Sequence, residues 1–209
     1  MENDNNKIDL DRYQLYQGQL QTYVSFTSFM TAVCVFFVGF LLSSFNNFDV
    51  SIKVPVAFLI ISLFSFLYST LIYTSSAAEV SLQNHRKFLK SIFLGDAISE
   101  YWGVYLLVAS IPLTVNAITT DGFLRIVTLI AALAGLAIYQ LSGISMIEVH
   151  FPTSSKVMAM LAIVMIGLLS LGQVTNYHFT FFASLFLLFM LALGWVAIKT
   201  GFKESSKDV

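Results

Sequence analysis

Apolar residues gather in six runs along the chain, at 23–44, 55–76, 103–118, 123–147, 155–173 and 179–200. A hydrocarbon core about 30 Å thick takes roughly 20 residues of helix at 1.5 Å each. The runs match that length, or come close to it. The pattern predicts an all-α integral membrane protein, a bundle of about six transmembrane helices with cytoplasmic helical extensions.

The six runs differ in strength. The last holds about a dozen Leu, Phe, Val and Ile, favouring insertion by about 4–7 kcal/mol at the centre of a bilayer. The third holds only about eight, and Pro112 and Asn116 weaken it further, so its insertion is expected to depend on its neighbours.

Polar positions set the remaining organisation. Residues 1–22 are polar and acid-rich, and no basic region opens them as in a signal peptide. They are expected to form a cytoplasmic helix leading into a retained first span. Tyr13, Tyr16, Leu20 and Tyr23 fall at helical spacing, so a helix from Asp9 into the first run would reach about 53 Å. The second helix, with Pro55 in its first turn, is expected to continue through Ala77, Val80, Leu82 and Phe88 to Leu94, stopping at Gly95. The two extensions would then lie side by side, with Asp9 and Asp11 facing Arg86, Lys87 and Lys90. The domain reading is therefore 1–22 as the polar helix, 23–200 as the six-span domain with a cytoplasmic helical loop at 77–102, and 201–209 as a tail.

Basic residues orient the bundle. Lys7, Arg12, Arg86, Lys87, Lys90, Lys156, Lys199, Lys203 and Lys207 fall on one side, and only Lys53 and Arg125 on the other. An excess of this kind marks the cytoplasmic face, which places both termini there. Composition agrees: 57% of residues are hydrophobic and 11% charged, against about 25% charged in a soluble domain. The lipid bilayer is the expected surroundings. A net charge of −1 with no basic tract excludes nucleic acid as a partner. The single cysteine, Cys34, has no disulfide partner.

Ionisable residues lie outside the middle of every run, which counts against a proton relay, an intramembrane protease or a haem held between helices. Polar groups inside the runs are mostly hydroxyls. Ser62, Ser65, Ser69, Tyr73 and Ser76 make one stripe along the second helix, and Thr27 and Thr31 begin a shorter one on the first. Such a stripe either bonds to a neighbouring helix or lines a water-filled path. Ala131, Gly135 and Gly143 are small enough to let helices approach closely. Tyr101, Trp102 and Trp195 suit one membrane interface, Tyr177 and Phe179 the other. Asp121-Gly122 is expected to be a tight turn. His85, Glu148 and His150 share the cytoplasmic side and form a candidate metal or proton-sensing site.

No segment resembles a known family closely enough to carry a function over. The residues favour, by a small margin, a passive hydroxyl-lined channel or small-solute conduit, oligomeric, with no cofactor and no enzymatic activity. The alternative is a non-transporting scaffold or accessory subunit held by a membrane partner protein. A membrane enzyme acting on a lipid-linked substrate comes third, since it would have only His85, Glu148 and His150 to work with.

Overall fold

The computed structural model describes residues 2–81, 85–141 and 152–204. Among them the only regular structure is helical: α1 (Glu2–Ser43), two 3-10 turns (Phe45–Asn47 and Val50–Ile52), α2 (Lys53–Ser81), α3 (His85–Ala97), a π-helical segment (Ile98–Val104), α4 (Tyr105–Ile118), α5 (Gly122–Leu141), α6 (Pro152–Thr175) and α7 (Phe179–Glu204). Five stretches are long and apolar enough to cross a membrane: Gln14–Ser43, Val50–Ala78, Lys90–Ile118, Gly122–Leu141 and Phe179–Thr200. Met160–Thr175, within α6, is a shorter apolar helix.

The third stretch corrects the expected boundaries. Residues 85–118 form one unbroken helical path, so the end of the expected loop and the third run belong to a single helical stretch. Gly95 does not stop a helix, and α3 lies back along α2 rather than prolonging it, since Ser69 of α2 bonds to the Gly95 carbonyl. Gly95 is instead a point of close approach: a Cβ there would sit 2.5 Å from the Tyr73 ring. Gly103 serves Phe66 in the same way, at 2.7 Å, and Gly194 receives the Trp102 ring. Three glycines thus allow three aromatic rings to seat against facing helices. The inner aromatic belt is corrected with them. Tyr101 is buried and stacks on Tyr105, and Trp102 donates its indole N–H to the Met190 carbonyl at 3.0 Å.

α1 runs 42 residues, about 63 Å, and so extends well beyond a bilayer core. Its Tyr16, Leu20 and Tyr23 pack with Phe88 and Ile92 of α3, so the extension does lie alongside the following hairpin. The expected pairing of Asp9 and Asp11 with Arg86 falls outside the described side chains.

The connections follow from local chemistry. Asp49 accepts the Ser51 amide at 2.8 Å, which holds this exposed carboxylate below the usual range. Asp121 accepts the Leu124 amide at 2.9 Å, capping α5 as the Asp-Gly pair predicts. Arg125 closes the end of α4 by donating to the carbonyls of Asn116 and Thr119. Between α6 and α7, Asn176 takes the left-handed conformation, with its N–H on the Gln173 carbonyl and the Tyr177 N–H on the Gly172 carbonyl. That is a Schellman cap.

Pro112 sits inside α4 without ending it. Neighbouring polar side chains tie this end of α4 to α6. Asn116 donates to Ser170 Oγ at 2.9 Å, and Gln173 donates to the Leu113 carbonyl at 2.9 Å and to Ser51 Oγ at 3.2 Å.

Candidate functional site

The hydroxyl stripe faces protein. Ser62, Ser69, Tyr73, Ser76 and Thr27 are fully enclosed, Ser65 nearly so, and Thr31 is half-buried. Most of these hydroxyls bond within their own helix: Ser65 to Ile61, Ser76 to Ile72, Thr27 to Tyr23 and Thr31 to Thr27, all on backbone carbonyls near 2.8 Å. Two others reach a neighbour. Ser69 donates to the Gly95 carbonyl at 3.1 Å, and Thr70 donates to Thr27 Oγ1 at 2.7 Å. The stripe is the seam between α2 and its neighbours α1 and α3.

The stripe leads to a carboxylate. Tyr73 Oη donates to Asp96 Oδ1 at 2.7 Å and lies 3.3 Å from Ser99 Oγ. The Tyr23 ring of α1 stands 5.2 Å from the Tyr73 ring. One helical turn after Asp96 comes Glu100, and both are 1% exposed. Gln140 of α5 donates to Glu100 Oε1 at 3.0 Å, and Tyr139 donates to Oε2 at 3.4 Å. The same Gln140 amide donates to Tyr105 Oη at 2.7 Å. Side chains from α2, the π segment, α4 and α5 therefore converge on two acid groups.

Local backbone geometry brings Glu100 inward. From Ile98 to Val104 the helix is widened to the π form, and the Tyr105 N–H reaches the Glu100 carbonyl five residues back. Such insertions are rare and recur at functional sites, because they turn a side chain that a regular helix would aim elsewhere. Here Ser99, Glu100, Tyr101, Gly103 and Val104 are all buried in one short segment.

Both acids fall inside Lys90–Ile118, a stretch long and apolar enough to span a bilayer. The expected third run starts at 103 and so leaves both acids out, although one helical stretch carries them and the run together. The physical reason is that Asp96 and Glu100, with Tyr101 and Trp102 beside them, look like a membrane boundary when only apolar residues are counted. The signal available was their i, i+4 spacing immediately before an apolar run, which places both on one helix face. Gln140 and Tyr105 carried no such signal, since each stands alone among apolar neighbours.

The small-residue expectation is also corrected. Ala131 and Gly135 face outward on α5, and among the described residues nothing lies within 4 Å of a Cβ built at Gly135. Among the described residues they meet no neighbouring helix. Gly143, Glu148 and His150 lie outside the described residues, as does the side chain of His85. Among the described residues no group of three or more His, Cys, Asp or Glu is arranged to hold a metal.

Comparison with known proteins adds no family. No protein-family model, curated protein or solved structure matches this chain. Its site is read from its own residues. Carboxylates of adjacent turns, supplied with hydroxyl and amide donors and closed off from the surface, can bind a proton or a small cation.

Proposed function

We propose that this chain is a six-crossing membrane protein, with both termini in the cytoplasm, that binds a proton or small cation at the Asp96–Glu100 pair while moving it across the bilayer. The observation that carries the reading is the burial of two acids, one turn apart where α3 passes into the π segment, within a helical stretch that includes an apolar span. Carboxylates at such a depth are expensive to keep and mark ion pathways and proton relays. A structural purpose alone would be served at lower cost by apolar residues of similar volume.

The conduit reading therefore changes its lining. Hydroxyls of the α2 stripe are engaged in packing, and the carboxylate pair takes the place of an uncharged path. Six crossings follow from counting α6, whose 24 residues amount to about 36 Å of helix. The excess of basic residues on one side supports cytoplasmic termini.

The test is reconstitution into liposomes under imposed proton, sodium and potassium gradients, in both directions. Uptake of one of these ions is expected, with loss in Asp96→Asn and in Glu100→Gln while both variants still elute as folded protein. Vesicles that remain tight to all three ions, or variants that conduct like the parent, would remove the proposal.

A second reading, that of a scaffold or accessory subunit, is favoured by the outward ridge of Ala131 and Gly135 on α5. Small residues at that position suit a helix from another chain. It predicts a stable complex in mild detergent that Gly135→Leu disrupts.

A further inference from the structure

Two neutral oxygens stand out inside the bundle. Among the described residues, Ser62 Oγ and Gln173 Oε1 are shut off from the surface and have no hydrogen-bond partner. The other hydroxyls of the α2 stripe, on Ser65, Ser69, Tyr73 and Ser76, each donate to an oxygen between 2.7 and 3.1 Å away. Ser62, although fully enclosed, does not. Turning the Gln173 amide over would not relieve its oxygen. The Leu113 carbonyl, 2.9 Å away, needs a donor and so fixes the nitrogen on that side. A buried oxygen left in this way calls for an ordered water or an ion.

The two oxygens follow the carboxylate pair in order along the bundle. α2 and the 85–118 stretch run antiparallel, since Gly95 meets Tyr73 and Gly103 meets Phe66. Ser62 lies one turn before Phe66 on the same face, which sets it level with Leu107. Seven residues, about 10 Å, separate Glu100 from Leu107. Six more, about 9 Å, lead to Leu113, whose carbonyl Gln173 holds. Gln173 also donates to Ser51 Oγ at 3.2 Å, in the turn before α2. It therefore marks the end of α2 farthest from the pair, and Ser62 stands midway.

The chemistry of these atoms selects among ions. A hydroxyl both accepts and donates, but an amide oxygen only accepts, so it can ligate a cation and has no proton to hand on. Neither atom is charged, whereas divalent ions take carboxylate-rich sets of oxygens. We propose that the ion taken up at the Asp96–Glu100 pair is a small monovalent metal cation, and that its route to the outer side follows the α2–α4 seam past Ser62 Oγ to Gln173 Oε1. The inference rests on the transport reading above and narrows it from a proton or cation to a cation. Uncharged oxygens spaced along a route hold an ion weakly enough for it to leave.

Silver ion is monovalent, lies between sodium and potassium in size and binds thiols tightly, so a thiol placed on the route records its arrival. The single cysteine is first removed as Cys34→Ala. Ser62→Cys in that background, reconstituted in liposomes and exposed to silver nitrate, should lose its maleimide labelling after unfolding. Ala162→Cys, just as enclosed but on α6, should keep it. Trimethylammonium-ethyl methanethiosulfonate, a much bulkier cation, should leave both thiols intact. Adding Gln173→Leu to Ser62→Cys should slow the silver reaction, whereas Gln173→Glu, which keeps an oxygen there, should not.

A thiol at 62 as shielded from silver as one at 162 would overturn the inference, and the two oxygens would then hold trapped waters. Equal reaction at both positions would overturn it too, since silver would be reaching the whole core. So would a silver reaction indifferent to Gln173→Leu in protein that elutes as folded. Proton flux beside a shielded thiol would remove this inference alone and leave the carboxylate reading standing. Liposomes tight to every ion despite a reactive thiol would bring down the transport reading, and this inference with it.

Discussion

Replacing Gly95 by alanine sets two effects of opposite sign against each other. Alanine is the better helix former by about 0.8–1 kcal/mol in a helix interior, so an unobstructed site gains by the change. At Gly95 the added methyl would lie 2.5, 2.8 and 3.1 Å from three atoms of the Tyr73 ring, about 1 Å inside normal carbon contact. The ring has no easy retreat, being fully enclosed, packed beside Tyr23 and tied through its hydroxyl to Asp96. Overpacking costs about 1–3 kcal/mol, and breaking a hydrogen bond to a charged group about 1.5–3 kcal/mol. The net expectation is destabilisation by about 2–5 kcal/mol. Gly135, with open space around it, provides the control, where alanine should gain up to about 1 kcal/mol. Thermal unfolding of the purified variants in one detergent reads both, at about 2–4 °C per kcal/mol for a chain of this size. Gly95→Ala should melt well below the parent and Gly135→Ala at or slightly above it. If Gly95→Ala melts at or above the parent, the seating of Tyr73 against α3 is wrong.

Three further outcomes follow from single contacts. Tyr73→Phe keeps the ring but removes the donor to Asp96, and should cost about 1–3 kcal/mol in the same unfolding assay. Asn176→Gly should be neutral or stabilising, because the position is left-handed (φ 56°), whereas Asn176→Val should destabilise by about 1–2 kcal/mol; equal effects would contradict the cap. Asp49 is held below the usual carboxylate range by the Ser51 amide, so its contribution is present above the unfolded-state value and lost as pH falls through the lower folded one. The Ser51 amide signal in an NMR titration should report a midpoint below that of an ordinary aspartate, and Asp49→Asn should abolish it.

Much of the fold was legible because lipid exposure and helix length act on long segments. Each of the six runs is helical over its described residues, the Asp121 turn forms where the Asp-Gly pair stands, and α1 extends past the expected boundary of the membrane. The site was harder to read. A boundary placed by apolar content excluded Asp96 and Glu100, whose burial depends on partners far along the chain: Tyr73, Tyr105 and Gln140. The π widening has no local signature in 98–104, so nothing in the segment announces that Glu100 turns inward. The glycines show the same limit. Gly95 and Gly135 look alike in sequence, and only the facing ring makes one a contact and the other an open surface.

That the Asp96–Glu100 pair takes up a proton or a competing small cation is the central proposal, and infrared difference spectroscopy across a pH titration of the reconstituted protein tests it most directly. A reversible protonated-carboxyl band is expected in the parent, altered in Asp96→Asn and in Glu100→Gln. A titration with no such band, or a band unchanged in both variants, would contradict the account.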